Sequence, residues 1–260
     1  MELVFEIFSE EIPARMQAGA RRTMIALATK EFASADISFK SLNAFVSPRR
    51  LALIVQGLDF SKALTEKFIY KKGPSDTASA EELSKFKFLF KSQKFELTTK
   101  EIQGQKYFFA KLSKPKENPQ ALIAHALERI LQEFPWPKSM RWDISNVKWV
   151  RPIRNLLCVL DGKTLPIKYG DLTSNNISFG HRFLSPKSFS VHSAKNYFDG
   201  LKKGKVLLDL DERKRVIKKQ IEDKLTSLRI VEDEGLLEEV AGLVEYPFTL
   251  LGDIDKKFLE

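Results

Sequence analysis

The order of helix-like and strand-like segments constrains the fold of this chain more than any other feature. Apolar stripes at helical spacing are mixed with short runs of β-branched and aromatic residues, without a regular strand–helix–strand repeat. Such a mixture argues against a doubly wound parallel sheet, which needs a helical crossover between successive strands. The sequence therefore predicts an α+β fold with mixed, largely antiparallel sheets and packed helices.

Local signals place the individual elements. Glu10 and Glu11 followed by Pro13 open the first helix, Asn118-Pro119 opens a later one, and Asp161-Gly162 is a hairpin turn. The predicted strands are 3–8, 37–46, 51–57, 67–72, 107–112, 156–160, 165–169, 177–184 and 246–251. The predicted helices are 13–32, 81–90, 192–203, 211–228 and 234–244, together with the one that begins at Asn118-Pro119.

The length of 260 residues suits one large domain or two ordinary ones. The small, polar stretch Ser75 to Ala80 is the best linker candidate. We therefore predict an N-terminal α+β subdomain over residues 1–75 and a second α+β region over 76–260.

Composition excludes several classes of protein. Apolar residues make up 43% and charged residues 30% of the chain, which is typical of a globular protein. No apolar run approaches the roughly 20 residues of a membrane span, and the N-terminus carries acidic residues where a signal peptide is basic. The single cysteine, Cys158, leaves no internal disulfide. These features predict a cytoplasmic protein without a membrane partner.

The net charge of +9 is unevenly distributed along the chain. Residues 211–260 contain nine Lys or Arg and thirteen Asp or Glu, a balance of −4, so residues 1–210 carry +13. A basic body favours a polyanionic partner, although charge alone does not separate a nucleic acid from a merely basic surface.

Basic residues recur at predicted strand ends and turns, where side chains are free to meet a partner. The segment 139–162 also interleaves Trp142 and Trp149 with arginines, which can hold phosphates while tryptophans stack on bases. For each group taken alone, an internal salt bridge or a half-buried sheet edge remains the competing interpretation. The candidate RNA-contact residues are Arg49, Arg50, Lys71, Lys72, Arg141, Trp142, Arg151, Arg154, His181 and Arg182.

Catalytic patterns are not supported by the spacing of the residues. The sequence GLKKGK at Gly200 to Lys205 has one residue too few for a phosphate loop, and Val206 replaces the Ser or Thr that binds magnesium. The three histidines and the cysteine show no metal-ligand spacing. Helix-end electrostatics explains Glu10 and Glu11 better than an acid/base pair does. We predict no catalytic residue and no metal ligand in this chain.

Seven short motifs occur in an order that resembles a known family. Together they are similar to the N-terminal part of the beta subunit of bacterial, heterotetrameric glycyl-tRNA synthetase. The motifs are EEIP (Glu10–Pro13), SPRRLAL (Ser47–Leu53), KKGPS (Lys71–Ser75), MRW (Met140–Trp142), WVRPIRNLLCVLDG (Trp149–Gly162), GHRF (Gly180–Phe183) and LLEEVAGLVEYP (Leu236–Pro247).

The resemblance implies a role in joining glycine to its tRNA through a glycyl-adenylate. ATP and Mg²⁺ are expected at the alpha subunit, which carries the adenylation site, with no cofactor in this chain. The expected partners are that alpha subunit and tRNA(Gly), with no DNA. The resemblance also implies a B3/B4-like module similar to that of the phenylalanyl-tRNA synthetase beta subunit.

Three roles remain open at this point. The leading expectation is that the chain contributes tRNA binding and subunit assembly. The alternatives are a hydrolytic editing domain for mischarged tRNA and a pure subunit-assembly module. The chain stops at KKFLE, directly after a predicted apolar strand. A fragment that ends before the HD-like and anticodon-binding domains of the family is therefore expected, and such a fragment alone is expected to be inactive. A final short helix docked at the surface is the alternative explanation of this ending.

Overall fold

The computed structural model describes residues 1–66, 68–92, 94–113, 118–142, 147–225 and 230–258. The strands are β1 (Glu2–Ser9), β2 (Ser41–Ser47), β3 (Arg50–Gln56), β4 (Phe68–Ser75), β5 (Phe95–Ile102), β6 (Gln105–Ser113), β7 (Ile153–Leu160), β8 (Lys163–Thr164), β9 (Lys168–Tyr169), β10 (Leu172–Thr173), β11 (Ile177–Phe179) and β12 (Ser188–Ser190). The α-helices are α1 (Ala14–Ser34), α2 (Ala80–Phe88), α3 (Pro119–Glu133), α4 (Ala194–Lys203), α5 (Leu210–Lys224) and α6 (Glu234–Ala241). The predicted α+β class, with largely antiparallel sheets, is confirmed.

The chain separates into two compact units. The larger comprises residues 1–60 and 120–260, and the smaller comprises residues 61–119. The predicted boundary after residue 75 falls inside the smaller unit, because β4 pairs with β6 across that point. The predicted linker at Ser75 to Ala80 accordingly lies within this unit, where a turn joins the end of β4 to the start of α2.

An antiparallel sheet of order β2-β3-β1-β7-β8 forms the centre of the larger unit. Strand β1 lies between β3 and β7, and all seven residues from Leu3 to Ser9 are buried. Burial of both faces explains why β1 reads as a continuous apolar run rather than as an alternating one. Glu6 is the exception, a carboxylate in the middle of the buried strand.

Helices α1 and α4 pack against this sheet. Val4, Ile54 and Leu157 share a buried cluster with Tyr197 and Leu201 of α4. Helix α1 lies against β2 and β3, and α3 buries an apolar face of its own. The buried α3 residues are Leu122, Ile123, Ala126, Leu127, Ile130 and Leu131. No helix within the described ranges combines the length and apolarity needed to cross a membrane.

In the smaller unit, a three-stranded sheet of order β4-β6-β5 packs against one helix. Helix α2 begins with a capping box, in which the Ser79 hydroxyl accepts the Glu82 N–H and the Glu82 carboxylate accepts the Ser79 N–H. The strand predicted over 107–112 lies within β6, which forms a hairpin with β5. Lys67, at the start of the predicted strand 67–72, lies outside the described residues, as does Leu228 at the predicted end of α5.

The predicted strand 177–184 is too long, because β11 ends at Phe179. The imidazole Nδ1 of His181 accepts the backbone N–H groups of Phe183 at 3.2 Å and Leu184 at 3.1 Å. A side chain that takes backbone donors in this way competes with strand pairing. The GHRF motif is therefore a turn and not part of a strand.

The predicted strand 246–251 is not a strand in the structure. Its backbone is satisfied by a side chain: the Gln220 amide donates to the Pro247 carbonyl at 3.2 Å, and its oxygen accepts the Thr249 N–H at 2.8 Å. One glutamine from α5 thus occupies the place of a partner strand. Phe248, Leu250 and Leu251 are exposed.

Candidate functional site

The ten candidate RNA-contact residues lie in three separate places. Lys71 and Lys72 are in the smaller unit. Arg141, Trp142 and Arg151 lie around the bridge that Met140 forms with Trp149. The remaining five are at the ends of β3, β7 and β11, namely Arg49, Arg50, Arg154, His181 and Arg182.

Three arginines converge on Glu10 and Glu11 and form what we call the Glu10 cluster (Glu10, Glu11, Arg49, Arg154 and Arg182). The Arg154 Nε atom donates to the Glu10 carboxylate at 2.7 Å. Arg49 and Arg182 approach the other Glu10 oxygen at 3.6 and 3.8 Å. Arg182 also donates to Glu11 at 3.1 Å. Four of the motifs, EEIP, SPRR, RPIR and GHRF, therefore meet at one surface.

The hydrogen bond from Arg154, together with the charges of Arg49 and Arg182, holds the pKa of Glu10 below its ordinary value. The side chains of Arg154 and Arg182 remain 60% and 48% exposed, so water and salt screen these pairs. The three arginines and two glutamates leave a net charge of +1. The cluster is thus largely compensated within the protein.

Replacing Glu10 with glutamine is expected to lower the free energy of unfolding by about 1 kcal/mol near neutral pH. Because the folded pKa of Glu10 lies below its ordinary value of 4.5, its contribution is present above that pH and lost as the pH falls through the folded pKa. Urea unfolding at neutral and acidic pH should therefore show a smaller acid-induced loss for Glu10→Gln than for the unaltered chain. Glu11→Gln, at a more exposed position, is the control, and equal acid losses in Glu10→Gln and the unaltered chain would contradict the assignment.

Arg50 is buried beneath this surface, and its assignment as an RNA contact is corrected. Its side chain is 0% exposed, with Nε 3.3 Å from the Glu6 carboxylate and Nη1 against Glu245. Its other terminal nitrogen donates to the Phe179 carbonyl. Burial lowers the pKa of Arg50, but the charges of Glu245 and Glu6 outweigh it and raise that pKa. A guanidinium enclosed in this way holds the fold together and cannot reach a phosphate at the surface.

Glu6 is the buried anionic partner of Arg50. Its carboxylate accepts hydrogen bonds from Ser178 at 2.9 Å and from the Tyr197 hydroxyl at 2.6 Å. Burial raises the pKa of Glu6, opposed by the Arg50 charge and these two donors. Burial also raises the pKa of the Tyr197 phenol. The cavities beside α4, α5 and α6 are not lined by Glu6, Arg50 or Tyr197. We therefore interpret the network as structural.

A second buried guanidinium joins α5 to its surroundings. Arg213 donates to the backbone carbonyls of Ala241 at 2.8 Å, Leu207 at 2.7 Å, Leu208 at 2.8 Å and Val46 at 3.1 Å. Burial lowers its pKa to about 10, so it remains charged at neutral pH. Arg213 therefore satisfies carbonyls from β2, from the segment before α5 and from the end of α6.

Trp149 is fully buried. The expectation from the sequence that its ring stacks on bases is therefore wrong. Its ring lies 5.0 Å from Phe134, 5.1 Å from Trp136 and 6.5 Å from Tyr169, between ring centroids. Arg151 donates to the carbonyl of its neighbour, Val150. The other two candidates nearby differ in exposure: Arg141 is exposed and Trp142 is half-buried. Contact of these three residues with RNA stays a prediction.

The chemistry of these groups is that of binding and packing. In the part of the chain that the structure describes, no group of three His, Cys, Asp or Glu side chains is arranged to hold a metal ion. Burial raises the pKa of the Cys158 thiol well above its ordinary value. Sequence reasoning missed Glu6, Tyr197, Arg213 and Glu245. Of these, Glu6 carried a signal, since a carboxylate inside an apolar strand requires a buried partner.

Comparison with known proteins agrees with the order of the motifs. A family model described as glycyl-tRNA synthetase beta subunit matches residues 3–260. The glycine–tRNA ligase beta subunit of Rickettsia canadensis is 41% identical over 262 residues, covering 100% of this chain and 39% of the relative. Those of Phenylobacterium zucineum and Paracoccus denitrificans are 40% and 37% identical, covering 100% and 99% of this chain and 38% of each relative. The chain thus spans less than half the length of these curated relatives.

Proposed function

Because the chain belongs to the glycyl-tRNA synthetase beta-subunit family, we propose that it takes part in the ATP-dependent attachment of glycine to tRNA(Gly). Its contribution is non-catalytic and consists of tRNA binding and assembly with the alpha subunit. Adenylation, with ATP and Mg²⁺, takes place on the alpha subunit, in the cytoplasm. The titratable network around Glu6 is closed to solvent, which supports a structural rather than a chemical role for it.

The observation that carries the assembly role is the surface formed by the Glu10 cluster and the adjoining GHRF turn. Phe183 is 80% and Leu184 is 59% exposed on this turn. The Arg182 guanidinium carbon lies 5.9 Å from the Phe183 ring centroid. An exposed aromatic residue beside arginine is the combination enriched at energetic centres of protein interfaces. The net charge of +1 is small for a surface that binds a phosphate backbone.

The turn is held in one conformation, which lowers the entropic cost of binding. The His181 imidazole accepts two of its backbone N–H groups, and the His181 N–H donates to the Gly204 carbonyl at 2.7 Å. A Cβ at Gly180 would meet the backbone of Ser185 and Gly204, so the chain segments pack too closely for a side chain. We therefore assign the GHRF turn and the Glu10 cluster to the alpha-subunit interface.

The role in ligation is tested by charging tRNA(Gly) with labelled glycine. The alpha subunit is assayed alone and together with the full beta polypeptide. Efficient charging is expected only with both, and equal rates with the alpha subunit alone would overturn the proposal. Release of amino acid from mischarged tRNA by the beta polypeptide would favour the editing alternative instead. The B3/B4-like architecture behind that alternative stays a prediction.

The interface assignment predicts the effect of Phe183→Ser. The exchange is expected to raise the dissociation constant for the alpha subunit by about tenfold, because exposed aromatic anchors contribute about 1–2 kcal/mol or more. Stability should be unchanged, since the ring is exposed. Phe88→Ser, which removes another exposed ring (69%) from the smaller unit, is the matched control. Equal affinities of the Phe183→Ser and Phe88→Ser proteins for the alpha subunit would refute the assignment.

A further inference from the structure

One face of the three-stranded sheet in the smaller unit carries lysines and aromatic rings close together. Residues paired across antiparallel strands point to the same side, as do residues two apart within a strand. The register pairs Tyr70 with Lys111, Lys111 with Glu96, and Lys72 with Phe109, so these side chains share a face. We call it the lysine–aromatic face. Besides Ile102, Gln105 and Ser113 at its ends, its members are Phe68, Tyr70, Lys72, Glu96, Thr98, Lys100, Tyr107, Phe109 and Lys111.

The opposite face of this sheet is the one that packs on α2. A Cβ at Gly73 would touch the ring of Phe86, and Phe90, just after α2, lies 5.7 Å from Phe95 between ring centroids. Phe95 pairs with Leu112, on the side opposite to Lys111. The helix therefore does not cover the lysine–aromatic face, where Phe109 is buried and the rings of Phe68 and Tyr70 on β4 are exposed. Lys71 and Lys106 belong to the helix side, so the neighbours Lys71 and Lys72 point in opposite directions.

Ammonium groups on the lysine–aromatic face lie against its rings. The Nζ atom of Lys100 is 3.5 Å from the Tyr70 ring centroid, and that of Lys111 is 4.2 Å from the Phe68 centroid. Phe68 is nevertheless 40% exposed and Tyr70 is 41% exposed. Such cation–π contacts keep charge and ring surface side by side at the solvent boundary. A further pair is Lys72 over Tyr107, at 3.6 Å.

The charge of the smaller unit is complementary to a polyanion. Residues 61–119 contain thirteen lysines and seven Asp or Glu, a net charge of +6 out of the +9 of the whole chain. On the lysine–aromatic face itself, Lys111 is paired with Glu96 at 2.8 Å, while Lys72 and Lys100 contact rings. Two ammonium groups that contact rings are thus presented beside two exposed rings.

We propose that the lysine–aromatic face binds a single-stranded segment of RNA. Bases stack on the rings of Phe68 and Tyr70, and the ammonium groups of Lys72 and Lys100 contact phosphates. Two side chains separated by one residue on a strand are about 7 Å apart, which lets neighbouring nucleotides of an extended strand use both rings. Exposed rings and basic groups on an open sheet are the elements by which single strands are held without sequence readout. This inference deepens the proposed tRNA-binding role. It rests on that proposed function for the claim that the RNA bound in nature is tRNA.

The site is tested by removing two lysine charges from the lysine–aromatic face and, in a separate variant, two from the helix side of the sheet, and comparing their RNA binding. The probe is a labelled oligouridylate of about 12 nucleotides, bound to the full chain at several salt concentrations. The double variant Lys72→Gln/Lys100→Gln should bind the probe more weakly. The slope of its log affinity against log salt concentration should be smaller in magnitude by about 1.4, the value for two single-strand phosphate contacts. Lys71→Gln with Lys106→Gln removes the same charge from the helix side and should change the slope by less than half as much. Equal changes in both double variants would overturn the assignment.

Ring removal tests the stacking. Phe68→Leu with Tyr70→Leu is expected to weaken oligouridylate binding about tenfold or more while leaving the salt slope unchanged. Phe88→Leu, an exposed ring on α2, should have no effect. Unchanged affinity in the Phe68 and Tyr70 variant, tighter binding of a duplex of the same length, or binding of polyglutamate in preference to RNA would each overturn the proposal. The lysine variants keep the test valid if the leucine variant folds poorly, because both lysines are exposed.

The charging assay separates this inference from the proposed function. If the lysine–aromatic variants lose oligouridylate binding but the complex still charges tRNA(Gly), the RNA site is upheld and tRNA is not its obligatory ligand. If the variants bind oligouridylate normally and the complex charges tRNA(Gly), only the site assignment fails. Absence of charging by the unaltered complex overturns the proposed function and leaves the oligouridylate result to stand by itself.

Discussion

Replacing Arg50 with methionine is expected to lower the free energy of unfolding by about 3–5 kcal/mol. Methionine fills much of the space but leaves the Glu6 and Glu245 carboxylates buried without their counter-charge. Loss of a partner from a buried ion pair costs more than the pair contributes, since an unpaired buried charge remains. Urea unfolding of the full chain near neutral pH measures the effect.

Acidification should partly rescue the Arg50→Met protein. Burial already raises the folded pKa of Glu6 above its ordinary value of 4.5, and removal of Arg50 takes away the charge that opposes this rise. A carboxyl with a raised folded pKa favours folding below its ordinary pKa, and this contribution is lost as pH rises through the folded pKa. The stability difference from the unaltered chain should therefore shrink as the pH is lowered.

Two variants control this prediction. Arg49→Met alters the preceding arginine, whose partners Glu10 and Glu11 are at the surface, and should cost only about 1 kcal/mol. Adding Glu6→Gln to Arg50→Met should recover part of the loss, because the buried charge is removed. If Arg49→Met is as destabilising as Arg50→Met, the buried network does not have the role assigned here.

Replacing Arg213 with lysine is expected to lower the free energy of unfolding by about 3 kcal/mol. The guanidinium donates to four backbone carbonyls spread over β2, the segment before α5 and the end of α6. A single ammonium nitrogen cannot reach all of them, so buried carbonyl oxygens lose their donors. Each such loss costs about 1–3 kcal/mol when no water replaces the donor.

Arg215→Lys, on the exposed side of the same helix, is the control and should change stability by less than about 0.5 kcal/mol. Urea unfolding gives the overall loss, and hydrogen exchange of amides in α6 reports whether that helix loosens first. A stability of the Arg213→Lys protein within about 0.5 kcal/mol of the unaltered chain would mean that charge, rather than the planar arrangement of donors, is what the site needs.

Elements with strong local signals were predictable. The Asp161-Gly162 turn forms with φ angles of 50° and 79°, which an Asp-Gly pair adopts readily. The stripe of α3 and the start of α1 at Pro13 depend on residues within a few positions of each other. The predictions of strands over 177–184 and 246–251 were wrong. In both segments a side chain, that of His181 or Gln220, forms hydrogen bonds with backbone groups that would otherwise pair with a neighbouring strand.

The motifs that make up the candidate site were predictable from the sequence. Which of their charged side chains are buried and which reach the surface was not. Arg49 and Arg50 are adjacent and chemically identical, yet one reaches the surface carboxylates and the other is enclosed between Glu6 and Glu245. Lys71 and Lys72 are divided in the same way between the two faces of their sheet. Successive side chains of a strand point to opposite sides, and only the packed partners define which side is open.

The sequence by itself determined the α+β class, most helices and strands, the basic character and the family-like motifs, because these depend on local pattern and composition. The tertiary structure alone decided which charges are available to a partner. Glu6 and Glu245 lie 44 and 195 residues from Arg50 along the chain, a separation at which sequence pattern carries no information on contact. Burial of Arg50 by those two carboxylates, and exposure of the Phe68 and Tyr70 rings on the lysine–aromatic face, follow from how the chain folds back on itself.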